Sequence, residues 1–144
     1  MEESYIRRMA QCITRMDGQY YDYARRSLAS ENEVYVLYTL SDGGEYSQKT
    51  ICDEWHIPKT TVNAVVAKMK SDGYVEGAGA EGREKLLKLT PKGMDYAKRA
   101  LTFIHDAEDY ALKRTLERFS PAFVDALEAF AAYFTEYGEQ KNGN

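Results

Sequence analysis

Lys59, Thr60 and Asn63 stand together in a helix-compatible stretch, and Arg83 stands alone in the run GAEGREKLLKLTPKG that begins at Gly79. These side chains suit one kind of chemistry. Asparagine can make two hydrogen bonds to an adenine edge, threonine offers a hydroxyl to a base or a methyl to thymine, and lysine reaches guanine or phosphate. Other reactive types do not assemble. His56 and His105 are isolated, and no cysteine or acid cluster has metal-ligand spacing. A nucleophile–base–acid set, a phosphate loop and paired carboxylates are all missing, so neither an enzyme activity nor a metal or cofactor is expected.

The elements that must position these residues follow from periodicity and caps. Apolar residues at 6, 9, 10, 13, 16 and 20 mark one face of a first helix within residues 4–28. Ser30-Glu-Asn-Glu33 has the form of a capping box, starting a second helix with Val34, Leu37 and Tyr38 inward, ended by Ser41-Asp-Gly-Gly44. Ser47 caps a short third helix whose Ile51, Cys52 and Trp55 share a face, before a turn at His56-Ile-Pro58. A fourth helix carries Val62, Val65, Val66 and Met69 on its inner side and leaves Lys59, Thr60, Asn63 and Ala64 outward at its start. Tyr74 to Glu76 and Lys85 to Leu89 read as a two-stranded hairpin around a flexible turn from Gly77 to Gly82. Thr90-Pro91 starts a long helix reaching about Phe119, and Ser120-Pro121 starts the last one. Helix, short helix, turn, helix and hairpin is the order of a winged helix-turn-helix.

Composition sets the outer limits. A chain of 144 residues, 44% hydrophobic and 29% charged, can bury a core of its own, with disorder expected only in the tail from Gln140 to Asn144. No apolar run has the length of a membrane span and the first residues lack signal-peptide character, so the expectation is a cytoplasmic protein without a membrane partner. Cys12 and Cys52 make no disulfide framework. The net charge is −4, but residues 47–92 hold eight basic residues against six acids, leaving that window at +2 and the rest at −6. Only the middle of the chain can face a polyanion.

Residues 30–93 resemble the DNA-binding core of the MarR family of bacterial regulators. The likeness is carried by Ser47-x-x-x-Ile51-Cys-x-x-Trp-x-Ile57, by Thr60-Thr-Val with Val65-Val66 and Met69-x-x-x-Gly73-Tyr-Val, and above all by Gly82-Arg-Glu-Lys-Leu-Leu-Lys-Leu-Thr90-x-x-Gly93. The resemblance implies a mainly α fold with a small β-hairpin, a winged helix-turn-helix flanked by N- and C-terminal dimerisation helices. One domain would then span 1–144, with the DNA-binding core at 30–93 and the helical dimerisation part at 4–28 and 94–139.

It also implies a DNA-facing set of Ser47, Gln48, Lys59, Thr60, Thr61, Asn63, Ala64, Lys68, Arg83 and Lys85. Arg83 would be the wing arginine entering the minor groove, where a narrow groove concentrates negative potential. Gly82 stands where many members carry a second arginine and Ala64 where a basic residue is common, which implies fewer phosphate contacts; Glu81 stands where the aspartate beside the wing arginine is usual. Double-stranded DNA, a second copy of the chain and a small aromatic or anionic effector are the implied partners. The apolar faces of the terminal helices point independently to a homodimer, and Tyr96, Tyr110, Tyr133 and Tyr137 are candidates either to line an effector pocket or to pack as amphipathic side chains at the core edge.

Two other readings stay open. One is a winged helix used for protein interaction, since fold alone does not set function. The other is thiol-based redox sensing through Cys12, flanked on its helix by Arg8 and Arg15 and followed by Tyr20, Tyr21 and Tyr23, against a plain thiol at the edge of the apolar stripe.

Overall fold

The computed structural model describes residues 2–143 and contains six helices and a small antiparallel sheet among them. In chain order these are α1 (Glu2–Arg25), α2 (Glu31–Leu40), β1 (Tyr46–Ser47), α3 (Gln48–Trp55), α4 (Lys59–Ser71), β2 (Val75–Glu81), β3 (Glu84–Leu89), α5 (Pro91–Leu116) and α6 (Ala122–Asn142). The last helix therefore covers Gln140 to Asn142 of the tail expected to be disordered, and Asn144 lies outside the described residues. None of the described helices is long and apolar enough to cross a membrane.

The backbone separates into two compact units, Met1–His105 and Asp106–Asn144, with α5 beginning in the first and ending in the second. In the first unit α2 is the central element, touching α1, α3, α4 and β3. Its Val34, Val36, Leu37 and Leu40 join Ile51 of α3, Val62, Val66 and Met69 of α4, and Leu101 of α5 in one buried cluster. Truncating such a leucine to alanine removes about 2 to 5 kcal/mol. The capping box is formed as its spelling requires, with Ser30 Oγ accepting from the Glu33 amide at 3.4 Å and Glu33 Oε2 accepting from the Ser30 amide at 3.2 Å.

The sheet differs from the expected two-stranded hairpin. It has three strands in the order β1-β3-β2, with Tyr46 opposite Leu87 and Ser47 opposite Leu86. The stretch from Gly77 to Glu81, expected to be turn, continues β2 through an irregularity between Gly77 and Gly79, where Gly79 adopts a φ of +109°. Glycines that look like a turn in sequence here serve a bulge, which bends a strand without ending it. The turn is only Gly82-Arg83, between paired Glu81 and Glu84. Positive φ at Gly82 (+59°) and not at Arg83 is the pattern of a II′ hairpin, which calls for glycine in the first central position.

The hairpin is joined to α5 through Thr90 and Gly93. Thr90 Oγ1 donates to the Gly73 carbonyl at 2.6 Å and accepts from the Gly93 amide at 2.9 Å, while the Thr90 amide donates to the Tyr74 carbonyl at 3.0 Å. A Cβ on Gly93 would stand 1.9 Å from that carbonyl oxygen, so only glycine lets the helix start this close to the strand. Thr-x-x-Gly is a structural joint.

In the second unit, α6 buries none of its residues within the chain. Phe123, Leu127, Tyr133, Phe134 and Tyr137 are all exposed there.

Candidate nucleic-acid interface

The helix pair is set by two terminators. Ser47 Oγ accepts from the Thr50 amide at 3.1 Å to start α3, and His56 closes it in the left-handed region at φ 50°, with the Ile57 amide bonding the Cys52 carbonyl at 3.2 Å. Pro58 then forces an extended approach to α4 and supplies no side-chain cap to its first amides. Burial of Val62, Val66 and Met69 rotates the helix so that Lys59, Thr60, Asn63 and Ala64 are exposed, with Thr61 half-buried beside them. Three polar side chains that can read base edges therefore crowd the free end of one helix.

Arg83 is exposed at the tip of the β2–β3 turn, and among the described residues it has no acid within ion-pair distance. The neighbouring acids Glu81 and Glu84 face each other across the hairpin.

Between α3, α4 and β3 runs a groove of about 460 Å³, lined by Gln48, Lys59 and Lys85 together with Lys49 and Lys70. The last two stand outside the expected set: Lys70 reads in the sequence as a solvated helix charge, and Lys49 forms an i,i+4 bridge to Asp53 at 3.5 Å. Glu84 is the acid on the same wall, and Cys52 and Leu87 supply its apolar lining.

Two members of the expected set lie elsewhere. Ser47 is buried, and its hydroxyl is held by the α3 amide it caps and by Thr50 Oγ1 at 3.1 Å. Lys68 turns its ammonium onto Glu33 Oε1 at 2.7 Å. Glu33, only 5% exposed, also accepts a hydrogen bond from the Tyr96 hydroxyl at 3.3 Å. Burial alone would raise its carboxyl pKa. The Lys68 hydrogen bond and charge, the Ser30 amide and the Tyr96 hydroxyl outweigh that and hold it below the ordinary value. Glu33 thus ties α2, α4 and α5 together, a second duty that the capping box does not announce.

Tyr96, a candidate for an effector pocket or for packing at the core edge, packs against the core and stacks on Tyr74 with ring centroids 4.2 Å apart. Tyr110, Tyr133 and Tyr137 are exposed within their own unit. Cys12 is exposed on α1, and the guanidinium of Arg8 lies over the Tyr5 ring at 6.0 Å.

Residues 30–93 match the family model described as a winged helix DNA-binding domain. None of the curated proteins matches the chain. Among solved structures, a MarR family regulator from Neisseria meningitidis is similar over 95% of each chain, with 24% identity and a TM-score of 0.73. A MarR family transcriptional regulator from Silicibacter pomeroyi is similar over 88% of this chain and 91% of its own, at 17% identity and a TM-score of 0.67. NadR, solved in complex with 4-hydroxyphenylacetate, is similar over 88% of each chain at 14% identity and a TM-score of 0.65. The chain has the winged-helix fold of MarR family regulators.

Proposed function

We propose that the chain is a MarR family transcriptional regulator that binds a pseudo-palindromic DNA site as a homodimer and represses by occupying it. The observation that carries this reading is the pairing of two features in one compact unit. The exposed start of α4 presents Lys59, Thr60 and Asn63, and a two-residue β turn presents Arg83, which has no ion-pair partner among the described residues. The first fits a major groove, and the second fits the narrow, strongly negative minor groove beside it. The winged-helix match over residues 30–93 and the fold shared with MarR family regulators support it.

In this reading the DNA contacts are Gln48, Lys59, Thr60, Thr61, Asn63, Ala64, Arg83 and Lys85. Ser47 and Lys68 act from behind, as the α3 cap and the tether to α2. The core is residues 30–93, and the helices of 4–28 and 94–139 pair with their copies. A two-fold axis would place two α4 helices in successive major grooves about 34 Å apart. A small aromatic or anionic effector relieves repression by favouring a spacing of the two lobes that does not fit DNA, a step it can drive only by binding that spacing more tightly. NadR in complex with 4-hydroxyphenylacetate supports an effector of this class.

The test is a gel shift on DNA upstream of the gene, repeated across salt. Binding to one duplex over unrelated duplexes, weakening steeply as salt rises, is the expected result. Failure to bind any duplex at low salt would leave a winged helix serving protein contacts.

A further inference from the structure

A protein that sets a helix in the major groove and a hairpin tip in the adjacent minor groove must let one sugar–phosphate strand pass between them, because that strand is what separates the two grooves. The space between α4 and the hairpin is the groove of about 460 Å³ bounded by α3, α4 and β3. Lys49, Lys59, Lys70 and Lys85 line it against one acid, Glu84, in a chain whose net charge is −4.

Among the described residues, only Lys49 of these four has an acidic partner, the exposed Asp53 at 3.5 Å. Like charges gathered in one groove repel each other, and their mutual repulsion is relieved when an anion enters. The wall formed by Cys52 and Leu87 limits solvent on one side, which strengthens the field inside the groove. Lys59 and Lys70 are eleven residues apart, close to three helical turns, so both face the groove from one side of α4. The start of α4, where Pro58 gives no side-chain cap, adds amides and the positive end of the helix dipole beside Lys59.

We propose that this groove is the seat of one phosphodiester strand, and that Lys49 and Lys70 are phosphate contacts alongside Lys85, with Lys59 at the base-reading end of the same groove. The proposal rests on the DNA-binding reading above and extends it to two lysines outside the base-reading end of α4 and the wing tip. Glu84 opposes the strand from the same wall, so the seat contains its own attenuator.

The experiment measures binding of the full chain to its specific duplex and to an unrelated one by fluorescence anisotropy, from about 50 to 200 mM salt. For Lys70→Gln, with the circular dichroism unchanged, affinity should fall several-fold on both duplexes alike. The slope of log affinity against log salt should become shallower by about 0.9, the loss of one phosphate contact. Lys49→Gln should do the same, and Glu84→Gln should tighten binding to both duplexes. Bound DNA should also slow alkylation of Cys52 by iodoacetamide, with Cys12 reacting as fast as before.

An unchanged salt slope in both lysine variants, or Cys52 alkylated equally fast with DNA bound, would overturn the seat while leaving DNA binding intact. Wild-type protein that binds neither duplex at low salt would overturn the DNA reading, and the seat with it.

Discussion

Lys68 Nζ lies 2.7 Å from Oε1 of Glu33, a contact that joins α4 to the buried start of α2. Most of the lysine is in water and most of the glutamate is not, so the two ends of the bridge differ in cost when broken. Removing the lysine leaves a buried carboxylate without its counter-charge. Lys68→Met should therefore destabilise the fold by about 1 to 3 kcal/mol in urea unfolding.

The sign of the pH effect follows from the same pair. Glu33 has a lowered pKa in the fold, so its contribution is present above the ordinary glutamate value and is lost as pH falls through the folded value. Without Lys68, its hydrogen bond and charge no longer offset burial, and the carboxyl protonates at a higher pH than in the wild type. The acid-unfolding midpoint of Lys68→Met should move upward. A midpoint equal to that of the wild type would mean that the bridge adds nothing to the hold on α4.

Arg83 should behave in the opposite manner, with an effect on binding and none on folding. It is exposed, and the II′ turn that displays it depends on Gly82. Arg83→Ala should weaken DNA binding by about 1 to 3 kcal/mol, the size of one specific groove contact, with an unchanged melting temperature. Equal affinity of variant and wild type by anisotropy would remove the hairpin tip from the interface.

The contrast between these residues shows what was legible in the sequence. Val62, Val66 and Met69 repeat at helical spacing, and Ser30-x-x-Glu33 spells a cap, so the helices and the exposed start of α4 could be read locally. The sequence makes the hairpin look short because Gly77 and Gly79 carry the same signal in a bulge as in a turn, and the pairing that distinguishes them lies on β3. The two residues of β1 are too few to show any alternation. Lys68 and Lys70 look alike in sequence. Only packing shows that one is tied to a residue 35 positions away while the other lines the groove.

Asn63 tests base reading apart from electrostatics. It is exposed one turn into α4 and carries no charge, so its loss should leave the salt dependence intact. Asn63→Ala should flatten the preference among operator variants by about 1 to 3 kcal/mol at one base pair, measured by competition with singly substituted duplexes. An unaltered preference would shift base reading to Lys59 or Thr60.

Gly93 tests the joint between hairpin and helix. A Cβ there would come 1.9 Å from the Tyr74 carbonyl oxygen, and that oxygen is already bonded to the Thr90 amide. Backbone must move on one side. Gly93→Ala should cost about 3 kcal/mol or more, above the usual range for a single methyl group added to a packed site. Thermal unfolding within a degree of the wild type would show that α5 starts with more freedom than this packing allows.

The apolar surface of α6 makes the last prediction. Phe134 is 75% exposed and stacks on Phe130 of its own helix, with ring centroids 5.9 Å apart. Covering one such side chain is worth about 1.5 to 3 kcal/mol, and Leu127, Tyr133 and Tyr137 extend the patch along the same helix. A second copy of the chain can cover it symmetrically, which also supplies the second α4 that a pseudo-palindrome requires. Sedimentation velocity at micromolar concentration should therefore give a dimer. Leu127→Glu combined with Phe134→Glu should weaken association at least tenfold and reduce binding to a full site far more than to a half-site. A wild-type chain that sediments as a monomer at high concentration would leave α6 to another partner and exclude the two-half-site mode.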